Sequence, residues 1–346
     1  MSAMATDAPQ APSAGPRAAR PRRPTGADVA RLAGLSRATV SYVLNNTPHQ
    51  AIPEPTRQRV LAAAAELGYT PSAAGRALRS GHSEVVLLLL PDWPIGPSVG
   101  HLIEDLSTAL AAEGLTFVTH PLSAGRPVSE VWKALTPAAV VSFGELDEAE
   151  ARRLEGAGIE LAVALFGDRG EDRAMNLPEQ RAGRLQAEHL AVAGHRRLGY
   201  AWPDDPRLVG FATPRLEGVR HTCADLGLDQ PVVRTVPVEP EGAAAAVRLW
   251  ADAGVTGICA YNDEVALALL AGARRAGLEV PADLAVVGVD NIPAAAVAVP
   301  ALTTVERDTG AVAGYIAETI TRRLDGRPAP VRPGSDIHTV VRRESA

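Results

Sequence analysis

The chain of 346 residues contains few of the features that disulfide-bonded, membrane-spanning or exported proteins need. It has two cysteines, Cys223 and Cys259, which excludes a disulfide framework and paired zinc motifs. The longest apolar candidate, residues 85–90, is far short of the roughly 20 residues that span a membrane. The N-terminus lacks the apolar centre of a secretory signal. We therefore expect a cytoplasmic protein that has no membrane partner.

Enzyme motifs are also missing from the sequence. We find no nucleophile elbow, no phosphate-binding Walker loop and no paired Cys/His spacing. The eight histidines are scattered along the chain. We therefore expect neither an enzyme nor a protein that carries a metal or another cofactor.

Positive charge is concentrated at one end of the chain. The net charge is −6, yet residues 1–80 carry ten arginines against four acidic residues, a net +6. The remaining residues carry 24 basic and 36 acidic side chains, a net −12. A basic head on an acidic body confines attraction for phosphate to that head.

Residues 25–46, TGADVARLAGLSRATVSYVLNN, have the pattern of two short helices joined by a tight turn at Gly34. Thr25 and Ser36 are the residue types that begin helices. We expect these apolar side chains to face inward: Val29, Ala30, Leu32, Ala33, Val40, Val43 and Leu44. Arg37, Ala38 and Tyr42 then face outward near the start of the second helix, where such a motif meets the edges of DNA bases.

The composition divides the rest of the chain into three parts. Residues 1–24, rich in Pro, Ala and Arg, should be a disordered tail. The helix-turn-helix domain spans residues 25–70 and includes a third helix at about 56–67, with Val60, Leu61, Ala64 and Leu67 inward. Residues 71–82 form a linker before the large domain at 83–346.

The large domain alternates apolar strands with amphipathic helices. The strands are expected at 85–90, 115–120, 138–143, 160–166, 197–202, 257–261 and 284–290. Such alternation indicates parallel sheets covered on both faces. The fold class is therefore an all-α headpiece plus an α/β domain with two doubly wound subdomains, whose ligands bind at the carboxyl ends of the strands.

In this order, the motifs resemble the LacI/GalR family of bacterial transcription factors. They are DVARLAGLSRATVSYVLNN, TRQRVLAAAAELGYTPSAAGRALRSG, EHLAVAGHRRLGYA, AYNDEVALALL, VPADLAVVGVDNIP and PALTTVERD. The resemblance implies a homodimer on a near-palindromic DNA operator, and no heptad tail for tetramers follows the last strand. It also implies a periplasmic-binding-protein-like sensor that holds a small molecule between two subdomains. The N-subdomain would comprise about 83–177 and 308–331, and the C-subdomain about 178–307 and 332–346.

The resemblance assigns base reading to Arg37, Ala38 and Tyr42. Arg37 can bind guanine through two hydrogen bonds, although a plain phosphate contact is the alternative. Caps or backbone-positioning groups are expected at Thr25, Ser36, Thr39 and Asn45. Leu78 matches a leucine that the family wedges into the minor groove; otherwise it packs onto the large domain. Gly75 replaces the usual alanine in this linker, which should weaken a linker helix and the binding of the operator.

For the effector, the resemblance points to Arg215, Asn262 and Asp290, each expected at or just after the end of a strand. Their donors and acceptors suit vicinal hydroxyls of a sugar, although Arg215 and Asp290 could instead pair with each other across the cleft. Asp168 and Arg307 are weaker candidates. Trp93 either supplies an aromatic contact or covers the end of the sheet.

The preferred function is a repressor of carbohydrate-utilisation genes. With aromatic residues at 4%, a sugar effector is better supported than a stacked purine. The alternatives are a purine-like effector, a regulator whose degenerate pocket yields control to a protein partner, and a transport receptor. The basic headpiece and the missing export signal argue against the transport receptor.

Overall fold

The computed structural model describes residues 22, 24–45, 51–70, 83–122, 127–144, 146, 148–164, 179–331 and 337–346. The chain divides into two compact units, residues 1–81 and 82–346. Most of the predicted tail, the linker with Gly75 and Leu78, Asp168 and the crossing expected near Leu177 lie outside the described residues.

The first unit contains three helices: α1 (Gly26–Ala33), α2 (Arg37–Leu44) and α3 (Glu54–Glu66). Gly34 takes a left-handed conformation with φ 62°, which makes the tight turn after α1. Helix α3 begins two residues before the expected start, because Pro55 fits the first turn of a helix. The helix-turn-helix prediction is confirmed.

The core of the first unit is built from small side chains. Its fully buried residues are Val29, Ala30, Ala33, Val40, Val43, Val60, Ala63 and Ala64. The inward prediction was wrong for Leu32 and Leu61, which are 46% and 44% exposed. Because a helix turns about 100° per residue, Leu32 and Leu61 point away from the inner face, which Ala33 and Ala63 occupy.

The second unit contains ten described strands and the helices between them. The strands are β1 (Val85–Leu90), β2 (Thr116–Pro121), β3 (Ala139–Ser142), β4 (Glu160–Ala164), β5 (Leu198–Pro203), β6 (Val232–Val236), β7 (Gly257–Ala260), β8 (Ala285–Val289), β9 (Thr303–Arg307) and β10 (His338–Val341). The helices are α4 (Pro97–Ala112), α5 (Val128–Leu135), α6 (Glu148–Gly156), α7 (Glu179–Val192), α8 (Val209–Asp225), α9 (Pro240–Asp252), α10 (Asp263–Ala276), α11 (Pro293–Val297) and α12 (Thr309–Leu324).

These strands form two sheets, which confirms the predicted fold class. One sheet has the order β2-β1-β3-β4 and is parallel throughout. The other has the order β10-β9-β8-β7-β5-β6 and is parallel except at β10, which pairs antiparallel with β9. Buried apolar clusters lie on both faces of each sheet. Two lobes, each built on one sheet, therefore make up the second unit.

Three strands, β6, β9 and β10, are absent from the predicted apolar series. Strand β6 lies at a sheet edge and alternates partly buried with exposed side chains, so it has no continuous buried apolar run. Strand β9 is followed by α12, which packs against α4 in the four-stranded lobe, and β10 then returns to the six-stranded sheet. In the described part of the chain, every helix is too short or too polar to cross a bilayer.

Candidate DNA interface and effector cleft

The exposed face of α2 is set by a capped first turn. The Ser36 hydroxyl accepts a hydrogen bond from the backbone N–H of Thr39 at 3.1 Å, and the two hydroxyl oxygens lie 2.9 Å apart. Because Val40 and Val43 are buried, Arg37 and Ala38 are exposed at the start of the helix. Serine at this position stabilises the helix by satisfying a backbone donor that has no partner within it.

Tyr42 lies one turn further along α2 and is 37% exposed, on the same side as Ala38. Asn45 ends the helix, and its amide donates to the backbone oxygen of Ser41 at 2.6 Å. Arg37, Ala38 and Tyr42, the three residues expected to contact bases, thus lie on one exposed surface of α2. Asn45 has the geometry of a helix cap. Leu78 lies outside the described residues.

The start of α1 is held by Thr25 and Asp28. The Asp28 carboxylate accepts hydrogen bonds from the Thr25 backbone N–H at 2.9 Å and from its hydroxyl at 2.7 Å. The hydrogen bond from the Thr25 side chain lowers the pKa of Asp28, and the nearby Arg31 contributes to this shift. Thr25 therefore acts as a backbone-positioning group in the free protein.

In the second unit, a cleft separates the carboxyl-terminal ends of the two sheets. Its lining includes Trp93, Ser98, Phe143, Phe211, Arg215, Tyr261, Asn262, Glu264, Asp290 and Arg307. Asn262 lies two residues after β7, Asp290 directly follows β8, and Arg307 is the last residue of β9. Arg215 does not follow a strand, contrary to expectation, but lies inside α8. The helix brings it to the strand ends from the side.

The floor of the cleft is formed by Arg215, Asp290 and Arg307, which belong to a buried ion-pair network centred on Glu179 beneath it. The Glu179 carboxylate accepts from Arg215 Nε at 2.7 Å and from Arg307. The Glu179 and Arg215 side chains are 1% and 3% exposed. Arg215 also donates to the Tyr261 backbone oxygen at 2.7 Å and lies 3.4 Å from Asp290 Oδ1.

Two opposing effects set the pKa values of the acids in this network. Burial alone would raise the pKa of Glu179, but Arg215 and Arg307 outweigh it and hold that pKa at about 2. At Asp290 the nearby positive charges do not outweigh the effect of burial, so burial raises the pKa of Asp290 despite the opposing effect of Arg215. The pairing of Arg215 with Asp290, considered as an alternative from the sequence, is present, but Glu179 is the nearer partner.

Glu179 was missed by the sequence analysis. An acidic residue in the first turn of a helix is normally read as an exposed group that complements the helix dipole. Its burial depends on the crossing of α7 and α8, where Gly183 and Gly218 meet. A Cβ at Gly183 would lie 1.9 Å from the Arg215 backbone oxygen, and one at Gly218 would lie 2.0 Å from that of Gln180. This crossing places Glu179 beside Arg215.

Asp290 sits in a turn whose backbone is unusual. Asp290 and Asn291 have φ values of 107° and 50°, a region that L residues rarely adopt. The buried Asp263 carboxylate holds the turn by accepting from the Ile292 N–H at 2.9 Å and from the Thr304 hydroxyl at 2.6 Å. Burial raises the pKa of Asp263 to about 7, against the opposing effect of the Thr304 hydrogen bond. Asp263 and Thr304 therefore hold the backbone next to Asp290 in place.

The side-chain amide of Asn262 makes a close hydrogen bond within the protein through its oxygen. Its side-chain oxygen accepts from the Val265 N–H at 3.0 Å and caps α10, while its nitrogen lies 3.4 Å from Glu264 Oε2. The oxygen thus positions the helix, whereas the nitrogen has only a long contact with Glu264, and the residue lines the cleft.

Aromatic rings from both lobes meet in the cleft. Trp93, which follows β1, stacks on Phe143 at a centroid distance of 6.3 Å and meets Phe211 of α8 edge-on at 4.7 Å. The free volume within the cleft is about 80 Å³. That is below the roughly 300 Å³ from which small-molecule pockets usually start, so the cleft is narrow in this arrangement of the two lobes.

Two family models match the chain. The model for bacterial regulatory proteins of the lacI family matches residues 27–72, and the one for the periplasmic binding protein-like domain matches residues 187–346. The HTH-type transcriptional regulator MalR of Streptomyces coelicolor is 31% identical over 324 residues, which cover 88% of this chain and 91% of that protein.

Solved structures are similar over nearly the whole chain. A Lac repressor dimer bound to operator and the anti-inducer ONPF has a TM-score of 0.73 at 21% identity, covering 94% of this chain and 99% of that one. The regulator CelR in complex with cellobiose has a TM-score of 0.62 at 26% identity, covering 94% and 100%. The first likeness is one of fold alone.

Proposed function

Given that this chain belongs to the lacI family of bacterial regulatory proteins, we propose that it is a repressor of carbohydrate-utilisation genes. It binds a near-palindromic operator in the bacterial cytoplasm as a homodimer, with one headpiece on each half-site. A sugar held between the two lobes changes the affinity for the operator.

The observation that carries this proposal is the polar floor of the cleft. Arg215, Asn262 and Asp290 present donors and acceptors at one place, although they lie far apart in sequence. A sugar hydroxyl both donates and accepts, and it needs both kinds of partner there. The apolar rings of Trp93, Phe143 and Phe211 give the opposite wall that the non-polar face of a sugar ring requires. The CelR protein, a relative in structure, is complexed with cellobiose.

DNA binding rests on the exposed start of α2. Arg37, Ala38 and Tyr42 form one surface on a helix whose other side is buried, as a helix in the major groove requires. We assign base reading to Arg37 and Tyr42, and a methyl contact to Ala38. Leu78 is proposed to wedge into the minor groove on the operator.

The operator and the sugar can be found in two steps. Selection from random duplex DNA should yield a near-palindromic sequence, and affinity for it should fall steeply with salt because phosphate contacts release counterions. Adding sugars one by one should then change this affinity for at least one sugar. No preference for any duplex over random competitor would contradict the proposal.

A second candidate, control by a protein partner, is favoured by the Trp93–Phe211 contact, which narrows the cleft. In that case the operator would be bound, but no sugar would raise the melting temperature, because only a ligand that binds the folded state stabilises it.

A further inference from the structure

The charges at the floor of the cleft cancel. The two guanidinium groups of Arg215 and Arg307 face the two carboxylates of Glu179 and Asp290. His338, which lies against Arg307, adds no positive charge at neutral pH, because burial and Arg307 lower its pKa to about 4. A ligand that enters the cleft therefore meets a floor without net charge.

The guanidinium groups are also committed to partners. Each nitrogen of Arg215 already donates: Nε to Glu179, Nη1 to the Tyr261 backbone oxygen and Nη2 to Asp290. Arg307 donates to Glu179 through Nη2, and its Nε lies 3.3 Å from His338 Nε2. Every nitrogen pair of Arg215 is thus engaged, and a phosphate or carboxylate that binds Arg215 through two parallel donors would have to displace Glu179, Asp290 or the Tyr261 carbonyl.

Two helix starts at the cleft would otherwise attract an anion. Helix α4 begins at Pro97, and Ser98 in its first turn lines the cleft together with Asp290. Helix α10 begins after Asn262 and carries Asp263 and Glu264 in its first turn. Carboxylates of the protein thus already complement both positive helix ends.

The mouth of the cleft is acidic. Arg207 is paired with Asp205 at 2.6 Å and with Asp92 at 3.3 Å. Asp204 and Glu264 line the same opening. The carboxylates near this opening therefore outnumber the single guanidinium of Arg207, and their potential lowers the local concentration of anions.

From this arrangement we propose that the cleft selects uncharged sugars and rejects anionic ones, namely sugar phosphates and sugar acids. The inference rests on the proposed function, whose sugar site it uses. An anion bound here lies beside Asp290, and the nearby cation, Arg215, is already paired with Glu179 and Asp290. The like charges of the ligand and Asp290 repel each other strongly in a buried site. A neutral polyol can share donors and acceptors with the floor and needs no new counter-charge.

The test compares ligands that share a carbon skeleton and differ in charge. Isothermal titration of the full-length chain would use glucose, galactose, maltose and cellobiose, each alongside its 6-phosphate and its aldonate. We expect binding among the neutral sugars, with each anionic counterpart at least about tenfold weaker, a difference of about 1.4 kcal/mol. A phosphate or aldonate that binds more tightly than its neutral parent overturns the inference.

A charge variant makes the test independent of which sugar is found. Glu179→Gln removes one negative charge from the floor and leaves Arg215 and Arg307 in place. It should shift the ratio of anion to neutral affinity towards the anion by about tenfold or more. Glu188→Gln on the same helix, whose carboxylate is 42% exposed, is the matched control and should leave the ratio unchanged.

A variant at the mouth covers the case in which Glu179→Gln does not fold. Glu264 is exposed, so Glu264→Gln should raise the affinity for anions by a smaller factor. This increase should disappear at high salt, which screens exposed charges. An unchanged ratio in a folded Glu179→Gln protein, or in Glu264→Gln at low salt, overturns the inference. So does failure of every neutral sugar to bind. Operator binding, measured separately, shows whether the regulatory function itself stands.

Discussion

The two units place their candidate functional residues in opposite physical settings. In the headpiece, Arg37, Ala38 and Tyr42 lie within six positions of one helix and are exposed. In the second unit (residues 82–346, the sensor), Arg215 is 36 positions from Glu179 and 75 from Asp290. The side chains of all three are buried or nearly so. Groups that meet a large external partner can stay in water, whereas groups that enclose a small ligand must leave it. Substitutions at the two sites should therefore change the free energy of unfolding by different amounts.

The cores of the two units differ in the same direction. The fully buried headpiece residues are valines and alanines, while the sensor buries large side chains such as Trp250, Tyr200 and Phe143. A small core of small side chains leaves little stability in reserve. The headpiece therefore depends more on caps, and the sensor more on its buried polar network.

The largest effect is expected for Arg215→Ala. Removing one partner of a buried ion pair typically costs about 3–5 kcal/mol, because Glu179 and Asp290 lose a counter-charge inside the protein. We expect lower stability of the sensor in urea unfolding and loss of sugar binding. The control Arg220→Ala removes an exposed arginine from the same helix and should change neither. Equal stability of Arg215→Ala and wild type would break the comparison.

Thr304→Val tests the support of the Asp290 turn. It keeps the shape of the side chain but removes the hydroxyl that donates to Asp263. A hydrogen bond contributes about 0.5–1.5 kcal/mol, and about 1.5–3 kcal/mol when the acceptor is charged, as Asp263 is above its pKa of about 7. Both sensor stability and sugar affinity should therefore fall. Thr304→Ser retains the hydroxyl and should restore most of both. If Ser and Val behave alike in titration calorimetry, the hydroxyl does not hold the turn.

Arg37→Ala tests the exposed side of the comparison. It should leave the melting temperature unchanged and reduce discrimination between operator and altered bases by about 1–3 kcal/mol. Arg37→Lys keeps the charge without the fork of donors and should lose discrimination as well. Equal weakening on every duplex in a fluorescence anisotropy titration would indicate a phosphate contact instead.

The smallest effect is expected for Ser36→Ala. Loss of the hydrogen bond to the Thr39 N–H should destabilise the headpiece by about 1 kcal/mol. Differential scanning calorimetry should show a lower headpiece transition and an unchanged sensor transition. Ser36→Asp retains an acceptor at the cap and should preserve stability. A shift in the sensor transition alone would contradict the separation of the two units.

Prediction from the sequence succeeded where the cause is local. The cap at Ser36 and the turn at Gly34 depend on a few neighbouring residues, and the structure has both. The apolar strands of the two sheets were recognisable because burial on both faces requires continuous apolar runs. Edge strand β6 was missed because burial on one face leaves an alternating pattern.

Prediction failed where burial depends on what lies opposite. Leu32 and Leu61 are apolar and in helical register, yet they are half exposed because no element covers them within the headpiece as described. Glu179 is polar and at the start of a helix, yet it is buried because α8 crosses α7 next to it. Residue type and periodicity indicate a preference for burial, but a neighbouring element decides it.

The sequence by itself determined the helix-turn-helix, the alternation that builds two parallel sheets, and the strand ends that precede Asn262 and Asp290. These depend on backbone propensity and on hydrophobic periodicity, which act over a few residues. Only the tertiary structure decided that Glu179 joins Arg215 and Arg307, and hence that the floor of the cleft is electrically balanced. Coulombic forces act between residues that folding brings close, and their distance in space is not written in their distance along the chain.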